Sequence, residues 1–60
     1  MSEPVIVLAI EGDVVIRRDG KETVVVRRHE HGSDAGDIAR GIAKALEEFG
    51  IPAHARVRYV

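Results

Sequence analysis

Apolar residues follow three rhythms along this chain, and each rhythm predicts an element. VIVLAI (5–10) is an unbroken apolar run rich in β-branched side chains. So short a run with no polar face predicts a strand buried on both sides, and hence central in its sheet. VVIRR (14–18) and KETVVVRRHE (21–30) read as second and third strands. Glu11-Gly12-Asp13 supplies turn chemistry between the first two, and Asp19-Gly20 is a strong hairpin signal between the next two. Ile38, Ile42, Ala45, Leu46 and Phe49 then recur at helical spacing, flanked by Ala35 and Ala39, while Arg40, Lys44 and Glu47 point the other way. Asp34 or Ser33 is placed to cap this helix, with Asp37 in the first turn where the dipole favours an acid. Gly50 ends it and Pro52 prevents its continuation. AHARVRYV (53–60) alternates strictly, with Ala53, Ala55, Val57 and Tyr59 against His54, Arg56, Arg58 and Val60. That predicts a fourth strand with one buried face. Phe49 and Tyr59 are both assigned to the core.

The order β-β-β-α-β predicts an α+β fold of two layers, a four-stranded mixed sheet with one helix packed on one face. The helical crossover makes strands three and four parallel. The two-sided apolarity of strand one favours the order 4-1-2-3 over 1-2-3-4. For the second hairpin, a two-residue loop pairs Val14 with Val25 and Ile16 with Thr23, which mixes faces. A three-residue loop, Arg18-Asp19-Gly20 with Gly20 in a bulge, pairs Val14 with Val24 and Ile16 with Glu22. It gathers Val14, Ile16, Val24 and Val26 on one face and is the register expected here.

Parity then assigns the uncovered face. It is expected to carry Val5, Val7 and Ala9 from strand one, and Val15 and Arg17 from strand two. Strand three adds Thr23, Val25, Arg27 and His29, and strand four adds His54, Arg56 and Arg58. A valine centre with an arginine rim has the anatomy of an interaction surface. The expected partner is a second copy, packed sheet to sheet, with another protein as the alternative. Pairing along the edge strands is less attractive, because both carry arginines.

The size of the chain points the same way. Sixty residues make one small domain, 1–60, of marginal stability. Such chains often recruit disulfides, a metal or oligomerisation, and with no cysteine the first route is closed. The chain is 45% hydrophobic and 32% charged with a formal net charge of −1, so it has no global pull toward nucleic acid or membrane. The start, MSEP, has no basic region, and the run at 5–10 is too short for a signal or a membrane span. A cytoplasmic protein with no membrane partner is expected.

The candidate chemistry is thin. His29 and His31 on an extended segment project to one side, and with His54 they raise a possible zinc site. In the 4-1-2-3 order the outer strands are roughly 14 Å apart. One chain therefore cannot close that site, and only a dimer could. Nucleic-acid binding is a second class, with Arg17, Arg27, Arg56 and Arg58 tracking phosphates, but stacking aromatics are lacking. Ser33 serves best as a cap, no carboxylate pair has a usable spacing, and HGSDAG lacks the lysine of a phosphate loop. An enzyme is not expected. Gly41, on the flank of the helical stripe, has no assigned role. No motif covers more than a few residues. The agreement of caps, turns and patterning is also what an idealised designed sequence displays.

Overall fold

The computed structural model describes residues 3–58. The strands are β1 (Val5–Ile10), β2 (Asp13–Arg18), β3 (Lys21–Val26) and β4 (Ala53–Arg58). One helix, α1 (Ala35–Glu48), crosses from β3 to β4, preceded by a single 3₁₀ turn, Arg28–Glu30. The sheet order is β3-β2-β1-β4, with β1 antiparallel to β2 and parallel to β4. The two-layer α+β architecture and the 4-1-2-3 order are those the pattern predicts. The placement proposed for Tyr59 and Val60 lies outside the described residues.

Both hairpins close through two-residue loops. Glu11 and Gly12 have φ of 50° and 89°, and Asp19 and Gly20 have φ of 51° and 78°. Positive φ at both central residues is what a type I′ turn requires, and its twist matches that of the flanking strands. The expected three-residue loop is therefore corrected. Arg18 pairs with Lys21 and Ile16 with Thr23. A bulge further along β3 then brings Val26 opposite Val14, leaving Val25 without a cross-strand partner. The chain keeps the tight turn and repairs the face mixing by inserting one residue in β3.

Helix α1 begins at Asp34, whose side chain accepts from the Gly36 N–H at 2.7 Å. It ends in a Schellman arrangement: the Gly50 N–H donates to Glu47 O and the Ile51 N–H to Leu46 O, both at 2.9 Å, with Gly50 at φ 82°. The helix lies mainly over β4 and β1, touches β2 lightly, and leaves β3 outside its main footprint. Ala39 and Ala43 face the sheet and are buried. Small side chains there let the helix approach closely, and Ile38, Ile42 and Leu46 are only partly buried around that seam. Phe49, expected in the core, is 84% exposed. At 100° per residue it lies about 80° round from Ala39. It is also the C-cap, where the chain turns away.

The core under the helix is Val5, Val7, Ala9, Val14, Ala39, Ala43 and Ala53. This reverses the expected facing of strand one. Val5, Val7 and Ala9 pair across to Ala53, Ala55 and Val57 of β4, the apolar column of that strand, and go under the helix with it. Ile6, Leu8 and Ile10 take the opposite face. Among the described residues only Val7 and Val14 are large side chains that are wholly buried.

Candidate interaction surface

The face opposite the helix can be written as rows across the sheet. Residues paired across neighbouring strands share a face, so the register defines them. The first row is His54, Ile6, Arg17 and Glu22; the second is Arg56, Leu8, Val15 and Val24; the third is Arg58, Ile10 and Asp13. The floor is Ile6, Leu8, Ile10, Val15 and Val24. Of the residues expected on this face, Val15, Arg17, Arg56, Arg58 and His54 are there. Val5, Val7 and Ala9 are not. Thr23 pairs with Ile16 on the helix side, and Val25 is the bulged residue. Arg27 and His29 lie beyond the end of β3.

Leu8 and Val15 are each only 7% exposed, although among the described residues no helix lies over this face. Leu8, Arg17, Arg56 and Arg58 line one shallow open groove, with Ile6 on its floor. Arginine stems can lie along apolar surface while their guanidinium groups reach water. The uncovered apolar area is concentrated toward β3, where Val24 is 47% exposed.

Charge is distributed unevenly across the rows. The β4 column, His54, Arg56 and Arg58, is wholly basic, and among the described residues none of the three makes an ion pair. On the far side, Glu22 of β3 accepts a hydrogen bond from Arg17 at 3.0 Å.

The stretch RRHEHG leaves the strand and packs back on the β1–β2 turn. The strand stops at Val26, and residues 28–30 form the 3₁₀ turn, so His29 and His31 do not share a strand face. The Arg27 N–H donates to the Glu30 carboxylate at 2.8 Å, which holds the turn closed. The Arg28 N–H donates to Asp13 Oδ1 at 2.6 Å. His31 Nε2 lies 2.7 Å from Gly12 O. A carbonyl only accepts, so Nε2 carries the proton, and Nδ1 is buried with no partner among the described residues. Two side chains thus clasp the β1–β2 turn to the segment that leads into the helix. His54 is at the far end of the sheet, exposed beside Ile6. Among the described residues no three His, Cys, Asp or Glu side chains gather to hold a metal, and no helix is long and apolar enough to cross a membrane. No protein-family model matches the chain, and no curated protein or solved structure is significantly similar to it.

Proposed function

We propose that this chain is a small non-enzymatic interaction module that pairs with a second copy, open sheet face against open sheet face. One observation carries the reading. The core is built of valine and alanine, while Ile6, Ile10 and Val24 remain partly or largely uncovered on a face with no layer of its own. A domain this small gains stability by burying such residues against a partner. Arginine at the border fits, since it is enriched at protein interfaces and Arg17, Arg56 and Arg58 line the groove that holds Ile6 and Leu8. A standard interface removes about 800 Å² from each partner, against a total surface of 4609 Å². Sedimentation of the wild-type chain tests this. A dimer is expected at high micromolar concentration, and Val24→Glu, which alters an exposed strand position, is expected to give a folded monomer. A compact wild-type monomer contradicts the proposal.

A second reading rests on the basic column of β4. Alternate residues on one strand face are about 6.6 Å apart, a comb of cations that can follow a phosphate backbone. Single-strand binders of this kind also stack bases on aromatics, and Phe49, the one described aromatic, sits at the helix C-cap away from this face. That reading predicts oligonucleotide binding with a log–log salt slope of about −0.7 per phosphate contact, lost on Arg56→Ala.

A further inference from the structure

We infer that the pair has its two-fold axis along the strands, so that β4 of each copy lies over β3 of the other; this rests on the self-association proposed above. A two-fold face-to-face pair uses the same patch on both copies. Packed sheets keep their strands within about 30° of alignment. Two in-plane axes satisfy both conditions. An axis across the strands stacks β4 on β4. It sets His54, Arg56 and Arg58 against the same three side chains, none of which has an ion-pair partner among the described residues. Like charges facing each other across a desolvated interface are costly and act against that arrangement. An axis along the strands sets the β4 column over the partner's β3, whose open-face residues are Glu22 and Val24. Row for row, His54 meets Glu22 and its bonded Arg17, and Arg56 meets Val24, the most exposed valine of the face. Glu22 already bonds Arg17, and the partner's His54 is the residue placed against that carboxylate. The stem of the partner's Arg56 would also cover Val24. The same axis lays the β1 floor, Ile6 and Leu8, across the partner's β2.

The chain has no cysteine, so engineered thiols report this geometry directly. Under this axis Arg56 of one copy faces Val24 of the other across packed sheets about 10 Å apart, a span that a short bifunctional thiol reagent bridges and a direct disulfide does not. Arg56→Cys and Val24→Cys chains are refolded separately and as an equimolar mixture, then treated with a bis-maleimide that spans about 10 Å. The inference expects cross-linked dimers in the mixture, each holding one chain of either kind, and loss of cross-linking when either variant is alone. Cross-linking by Arg56→Cys alone overturns it, as does an uncross-linked mixture from a wild-type chain that sediments as a dimer. A wild-type chain that sediments as a monomer removes the self-association itself.

Discussion

At Gly12 the backbone has φ of 89°, and an added Cβ would lie 2.6 Å from Arg28 Cγ. Two separate costs follow from one methyl group: a left-handed alanine, worth about 1–2 kcal/mol, and displacement of the Arg28 stem. Gly12→Ala is expected to destabilise by at least about 1 kcal/mol in urea denaturation. The neighbouring Glu11 is also left-handed, at φ 50°, where asparagine is better tolerated. Glu11→Asn is expected to raise the urea midpoint, and a lowered midpoint would count against the turn assignment. His31→Ala removes the bond to Gly12 O; a cost of about 1 kcal/mol is expected, with no change on adding zinc. A zinc-dependent rise in melting temperature that His29→Ala abolishes would instead restore the metal reading. None of this clasp is visible in the residue order. It depends on two loops 15 or more residues apart meeting in space, and H-E-H reads equally well as a strand end.

The helix was legible at both ends because capping is a local matter. Asp34, Gly50 and Pro52 each act through backbone groups a few residues away. Its facing was less legible. Ile38, Ile42 and Phe49 look like a core stripe, yet the small residues Ala39 and Ala43 form the seam, and only the third dimension decides between close approach and bulk. Gly41, which had no role in the sequence, points into open space: an added Cβ meets nothing within 4 Å. Gly41→Ala is therefore expected to stabilise the chain by about 1 kcal/mol through helix propensity alone, read as a shift in the denaturation midpoint. The β2–β3 register differs from the one that parity predicts, for a physical reason. Parity reasoning treats a strand as uniform, and the bulge at Val25 lets a two-residue turn and a common apolar face coexist.

For the whole molecule, the strand order followed from one residue run. A strand apolar on both faces belongs inside a sheet, and β1 has neighbours on both sides. The same two-sidedness hid which of its faces meets the helix. Val5, Val7 and Ala9 are interchangeable in pattern with Ile6, Leu8 and Ile10, and only the β1–β4 register separates them. The face opposite the helix therefore has Ile6, Leu8 and Ile10 of β1 and Val15 of β2 at its centre, with Val24 at the β3 margin, in place of the expected Val5, Val7 and Ala9. Arg17, Arg56 and Arg58 line the groove along that centre. The most direct measurement is the solution mass of the wild-type chain beside Val24→Glu at matched high micromolar concentration. The account predicts twice the chain mass for the first and the single-chain mass for the second, with equal far-ultraviolet circular dichroism; a single-chain mass for both would contradict it.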